Sequence, residues 1–212
     1  GLGDLAGSIS SYRQALDCNP HSSETYYRLG LSLLRNTDLE GAREALSKSL
    51  QVNPDYTRAH YILGMVYAQQ GVLDKAIDQN RNVLARSPSY TSARFDLGMA
   101  LLKQGELEEA AEEFQHAVEI NPEFAPALFM LGEVYRKGGE FGEAIGWYRK
   151  FLELNPKDSD ALVRIAECHI QLDLLDGARE AIDKALECRP ENREAQYLDK
   201  HLGEMETPHK PG

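Results

Sequence analysis

The sequence predicts an all-α array of stacked helix pairs, and three observations predict it. Pro20, Pro54, Pro88, Pro122, Pro156 and Pro190 stand 34 residues apart through five successive intervals, and a fixed period of that size marks stacked supersecondary units. Each period holds two stretches whose apolar residues recur at helical spacing. The 212 residues amount to about six periods, so repeats occupy nearly the whole chain and leave no room in it for a separate catalytic domain.

Taken in order, segment 1–22 comes first, and within it residues 4–16 match only the second helix of a unit, with Cys18-Asn19-Pro20 after them. An incomplete N-terminal repeat is therefore expected there. The absence of an initiator Met adds the expectation that the start is trimmed, and the missing first helix is expected to be either cut away or supplied by another molecule. Full units follow at 23–56, 57–90, 91–124, 125–158 and 159–192.

In the first helix of these units the seventh position is Leu29, Leu63, Leu97, Leu131 and Ile165, and the eighth is Gly30, Gly64, Gly98, Gly132 and Ala166. Glycine in mid-helix costs about 1 kcal/mol against Ala, so its recurrence predicts a neighbouring helix too close for a Cβ. The third position is also small: Thr25, Ala59, Ala93, Ala127 and Ala161. A turn follows, opened by Thr37, Gly71, Gly105, Gly139 and Asp173, with Leu39, Leu73, Leu107, Phe141 and Leu175 two residues later. Gly or a short polar residue suits a left-handed helix cap, and the apolar residue plugs back onto the core.

The second helix carries Ala42, Ala76, Ala110, Ala144 and Ala178 at position twenty, and Leu50, Leu84, Val118, Leu152 and Leu186 eight residues on. That spacing makes one buried stripe. Each unit ends in Asn53-Pro54, Ser87-Pro88, Asn121-Pro122, Asn155-Pro156 or Arg189-Pro190, where proline bars helix continuation. Segment 193–203 begins like another first helix, but its Leu-Gly columns read Asp199 and Lys200. It is expected as a C-terminal capping helix. Segment 204–212 is polar, contains Pro208 and Pro211, and is expected to be disordered.

These columns, Leu-Gly, Gly-x-Leu/Phe, Ala, a large residue and Asn-Pro at this period, resemble the tetratricopeptide repeat over residues 4–192. The resemblance implies antiparallel helix pairs stacked into a right-handed superhelical solenoid, with a concave groove that holds peptides or partner helices. Two columns depart from the family. Position four, commonly Trp or Tyr, is Tyr26, His60, Arg94, Leu128 and Leu162, and the bulky position twenty-four is Leu46, Asn80, Phe114, Tyr148 and Ile182. Asn80 predicts looser stacking between the second and third full units.

Composition bounds the function. With 42% hydrophobic and 27% charged residues the chain suits a globular protein; it has no apolar run of the ~18 residues a membrane helix needs, and Gly1 to Gly7 show neither the basic start nor the apolar stretch expected of a signal peptide. No membrane insertion is expected, and a cytoplasmic location is the default. The formal net charge of -11, from 23 basic and 34 acidic residues, argues against nucleic acid and anionic lipid and favours neutral or basic ligands. Cys18, Cys168 and Cys188 form no CxxC pair and are expected to be inert thiols in a reducing compartment.

No catalytic, metal or cofactor site is expected. Gly1, Gly3 and Gly7 have no preceding strand to make a phosphate loop, and the six histidines include no i,i+4 pair. Glu108, Glu109, Glu112 and Glu113 describe a solvated helix face without a cleft for paired-carboxylate chemistry.

One constellation stands out. Position five reads Tyr27, Tyr61, Phe95, Phe129 and Val163, and position nine reads Leu31, Met65, Met99, Glu133 and Glu167. The resemblance implies that this face lines the groove, giving an aromatic and methionine track that ends in a charged section with Glu133, Arg136, Arg164 and Glu167. The aromatics serve either ligand contact or packing between repeats; for Leu31, Met65 and Met99, contact is the favoured role. Repeats of this family that hold the acidic C-terminal tails of heat-shock chaperones use a Lys/Asn clamp at positions five, nine, six and two. No three successive units here supply it, so such tails are not expected as partners.

The expected function is a non-enzymatic interaction scaffold for a protein or peptide segment that is apolar with basic flanks. The alternatives are a self-assembling coat-like homo-oligomer and a targeting arm of a larger multidomain protein.

Overall fold

The computed structural model describes residues 2–206, and among these the chain forms twelve α-helices and no strand. They are α1 (Leu2–Cys18), α2 (Ser23–Arg35), α3 (Leu39–Val52), α4 (Thr57–Gln69), α5 (Leu73–Arg86), α6 (Thr91–Gln104), α7 (Leu107–Ile120), α8 (Ala125–Lys137), α9 (Phe141–Leu154), α10 (Ser159–Gln171), α11 (Leu175–Cys188) and α12 (Arg193–Glu206). Turns of two or three residues join the helices within a pair, and four-residue Pro-containing turns join one pair to the next, lengths that make sequential helices antiparallel neighbours. No helix of the described residues is long and apolar enough to cross a membrane.

The within-pair turns explain their own composition. Thr37 (φ 61), Gly71 (φ 75), Gly105 (φ 89), Gly139 (φ 80) and Asp173 (φ 57) all take left-handed backbone. The next residue then reaches back to the helix: Asp38 N–H donates to Leu33 O and Val72 N–H to Tyr67 O, both at 2.9 Å. This closes carbonyls that the helix end would leave unpaired.

The chain divides into two compact units, Gly1–Glu113 and Phe114–Gly212, with the division inside α7. In the first unit Ala42, Ala59, Ala76 and Ala93 are fully buried, and these small residues let the helices approach. A Cβ built on Gly30 of α2 would lie 2.6 Å from Leu46 Cγ of α3. Helix α1 closes one side with buried Ile9 and Leu16, which join Leu29, Leu33 and Leu46 in one core.

In the second unit the core gathers Tyr148, Val163, Ile165, Ile182, Leu198 and Leu202. A Cβ on Gly132 would lie 2.6 Å from Tyr148 Cδ1. Helix α12 is held at its start by Asn192, whose Oδ1 accepts from the N–H groups of Glu194 (3.1 Å) and Ala195 (3.2 Å). The Asn192 Nδ2 donates to Ser159 Oγ at 2.8 Å. Helix α12 runs on to Glu206, beyond residue 203, so 204–206 are helical where a disordered tail was expected. Glu204, Met205 and Glu206 are good helix formers, and the first residue that opposes helix there is Pro208. The rest of the expected disordered tail, 207–212, lies outside the described residues.

The polar residues at position four have a structural use. His60 Nε2 donates to Pro54 O at 2.9 Å, Arg94 Nε to Pro88 O at 3.1 Å, and Gln196 Nε2 to Pro190 O at 2.7 Å. Each side chain ties its helix to the turn that precedes it.

The approach distances decide the sign of two substitutions. In Gly132→Ala the new methyl meets the ring of fully buried Tyr148, and overpacking is expected to destabilise by about 1–3 kcal/mol. At Gly64 the nearest atom is Gln79 Cβ at 3.3 Å, and the helix propensity of Ala offsets the mild crowding by up to ~1 kcal/mol. Circular-dichroism melts should show Gly132→Ala clearly lowered and Gly64→Ala unchanged or raised; equal losses would refute the close-approach account.

Candidate functional site

In the first unit α2, α4 and α6 are successive neighbours, and Tyr27, Leu31, Tyr61, Met65, Phe95 and Met99 on them are all half-buried. Tyr27 and Tyr61 are engaged within the chain. Tyr27 lies 5.1 Å from Tyr56 and Tyr61 5.0 Å from Tyr90, centroid to centroid, so each packs against the last residue of its own unit. Such tilted pairs are worth about 0.5–1.5 kcal/mol beyond buried area.

Met65, Phe95 and Met99 come together around a cleft of about 240 Å3, with Gly64, Asn80, Asp96 and Lys103 also in its lining. Tyr27 and Leu31 do not line it. The cleft has a simple cause. Where Leu46 presses on Gly30 and Tyr148 on Gly132, the second full unit presents the short amide of Asn80 to Gly64. Asn80 is 2% exposed, and its Oδ1 has no hydrogen-bond partner among the described residues. Burial holds the Asp96 carboxyl above the ordinary range, with the Tyr61 hydroxyl working against that shift. Burial, with the nearby Asp96, pushes the Tyr61 hydroxyl up to about 12. The cleft thus combines apolar walls with two hydrogen-bond acceptors.

In the second unit Phe129 is a packing residue, with its ring 5.5 Å from Tyr148 and 5.2 Å from Phe151. Glu133, Arg136, Arg164 and Glu167 form one network. Glu133 accepts from the Tyr148 hydroxyl at 2.6 Å and from Arg136 Nη2 at 2.9 Å, and Arg164 Nη1 donates to Glu167 and Glu194, each at 2.9 Å. Burial works to raise the Glu133 pKa, but the hydrogen bonds from Arg136 and Tyr148 and the neighbouring guanidinium charges outweigh it and hold the carboxylate below its ordinary value. Burial and then Glu133 push the Tyr148 hydroxyl well up. Every member is paired, so the network fixes α8, α9 and α10 and offers little unsatisfied polarity to a ligand.

Arg136 and Glu167 also border a cleft of about 390 Å3 with Phe141, Cys168, Tyr197 and His201. Burial pushes the Cys168 thiol up to about 11, which keeps it protonated and unreactive at neutral pH. No group of three or more His, Cys, Asp or Glu able to hold a metal occurs among the described residues.

Three residues matter here beyond the columns at five and nine. Asn80 was readable as the polar exception in a bulky column. Asp96 and Tyr148 were not, because their importance depends on which buried atoms they face.

Tetratricopeptide repeat family models match residues 1–50, 27–91, 76–125 and 95–159, and a second such model matches residues 135–200. No curated protein sequence matches the chain. Solved structures with similar folds include YrrB, reported as a TPR protein with an unusual peptide-binding site, at 23% identity and TM-score 0.80 over 91% of this chain and 99% of that one. MamA is similar at 28% identity and TM-score 0.74, over 76% of this chain and 95% of that one. The pilF protein of Pseudomonas aeruginosa is similar at 17% identity and TM-score 0.74, over 94% and 90%.

The Glu133 network has a measurable acid limb. A carboxylate held below the ordinary 4.5 contributes stability that is complete above 4.5 and is lost as pH falls through the depressed value. Glu133→Gln should cost about 1–3 kcal/mol at neutral pH and flatten the decline of the melting midpoint below pH 4.5. An unchanged acid slope in the variant would remove Glu133 from this role.

Proposed function

The chain belongs to the tetratricopeptide repeat family, and on that premise we propose that it is a non-catalytic scaffold whose first-helix face binds a segment of a partner protein. The observation that carries this is the cleft bordered by Met65, Phe95 and Met99: flexible thioethers and an aromatic ring flank a partly open apolar surface, the kind of wall that adapts to an inserted side chain. Tyr27, Leu31 and Tyr61 extend the apolar face on α2 and α4. In the second unit Phe129, Glu133, Arg136, Arg164 and Glu167 act mainly by packing and ion pairing, which fixes the helices that present the face.

The net charge of -11 favours a partner with basic residues flanking its apolar anchors and disfavours nucleic acid. The fold shared with YrrB is one on which a peptide site occurs, and that supports the reading. Ordering a flexible segment costs several kcal/mol, so micromolar affinity is expected.

Self-association is a second reading, favoured by Tyr197, which is 67% exposed on α12 beside the cleft of about 390 Å3. Light scattering at high concentration tests it, a monomer being the result that removes it.

With the partner identified by affinity capture and mass spectrometry, fluorescence anisotropy on the wild type and on Met65→Ser with Met99→Ser tests the groove. The double variant should bind at least about tenfold more weakly, because two apolar side chains no longer cover the partner's anchor, with a thermal midpoint within a few degrees of wild type. Tyr61→Ala, by contrast, should lower affinity and stability together because its ring packs on Tyr90. Undiminished affinity in the Met double variant would sink the assignment.

A further inference from the structure

We infer that the Asn80 cleft is the seat of one arginine side chain of the bound segment: an apolar stem between Met65, Phe95 and Met99, with its guanidinium directed to Asp96 and Asn80. The inference rests on the proposal that this face binds a partner segment, and it names the chemistry of one anchor.

Four features of the cleft lead to it. The first is size: about 240 Å3 lies below the ~300–1,000 Å3 of small-molecule pockets and suits a single side chain. The second is the floor. Asn80 Oδ1, almost wholly buried and without a partner, is an acceptor whose cost is recovered only by a donor brought to it. Solvent does not reach this atom, so the unbranched Met side chains are the part of the wall that must swing to admit an N–H group.

The third is charge. Asp96 is a partly buried carboxyl in the lining and can accept hydrogen bonds, since an ionised carboxylate has about four acceptor positions. The fourth is the walls, which match an alkyl stem better than a water-covered charge. Guanidinium answers all four: it is planar, always protonated, more weakly hydrated than ammonium, and carries donors enough for an amide and a carboxylate together. Lys103, also in the lining, is an exposed side chain.

Butylguanidinium, butylammonium and the neutral butylurea are the probes, titrated into the whole chain while the methionine methyl carbons are followed by NMR. Butylguanidinium should shift Met65 and Met99 saturably, with a Kd on the order of 1 mM for so small a ligand, and leave Met130 unmoved. Butylammonium should bind more weakly, and butylurea at least about tenfold more weakly, because neither offers both charge and forked donors.

Asn80→Leu, which copies the residue at Leu46, should abolish the shifts and raise the melting midpoint. Asp96→Asn, which keeps the shape of the cleft, should weaken butylguanidinium about tenfold while leaving butylurea unchanged. Absence of saturable shifts, equal binding of butylurea, or retained binding in Asn80→Leu would overturn the arginine seat. None of these results touches the groove itself, which is judged separately by partner affinity in the Met65→Ser, Met99→Ser variant.

Discussion

Everything in this chain depends on how closely the two helices of a pair can approach. A residue with little or no side chain at position eight of the first helix makes a notch, and one large side chain at position twenty-four of the second fills it. Leu46 fills the notch at Gly30, and Tyr148 the notch at Gly132. The alanines around these two locks are fully buried, so backbone-to-backbone distance is set by the lock and not by cushioning side chains. A helix that gives up roughly 1 kcal/mol of propensity for glycine recovers it several times over when a buried Leu or Tyr is packed on every side.

What fills the notch then determines the chemistry of the face on the other side of the first helix. Tyr148 brings a hydroxyl into the interior, and a buried hydroxyl needs an acceptor. Glu133 supplies it from position nine, and a half-buried carboxylate in turn needs cations, which Arg136 and Arg164 provide. The charged section of the second unit is therefore the outward consequence of one phenol in the core. In the first unit Leu46 makes no such demand, and Leu31 of the same repeat is apolar at position nine.

Much of this was legible in the sequence because it is periodic. The 34-residue proline spacing, the left-handed turn column and the alanine stripe each repeat five times, and repetition separates a packing requirement from accident. The site was only partly legible. Met65, Phe95 and Met99 could be placed on one helix face by spacing, but the cleft between them exists because Asn80 is too short to fill its notch, and emptiness has no sequence signature. The position-four exceptions look like weaker packing in a column of residue types, yet His60, Arg94 and Gln196 bond to proline carbonyls. A side chain's partner six residues back in a turn is set by backbone geometry, which such a column does not contain. The continuation of α12 to Glu206 was hidden because the polarity of 204–206 masks its helix propensity.

How a repeat tolerates Asn80 at all follows from the same architecture. An unpartnered buried amide carbonyl costs about 1–3 kcal/mol, and the missing large side chain forfeits about 1.5–3 kcal/mol of burial. In a single compact core such a loss would threaten the fold. In stacked repeats, stability is close to a sum of unit terms and nearest-neighbour terms, so the loss stays local. The flanking packing remains intact: Ala59, Ala76, Val83 and Ala93 are all completely buried, and His60 ties α4 both to Pro54 and to Gln79 on α5. The pair α4–α5 is thus held around the short Asn80 side chain that faces Gly64. That is the arrangement a binding cleft needs, since an acceptor that packing leaves unsatisfied is one that a ligand can satisfy.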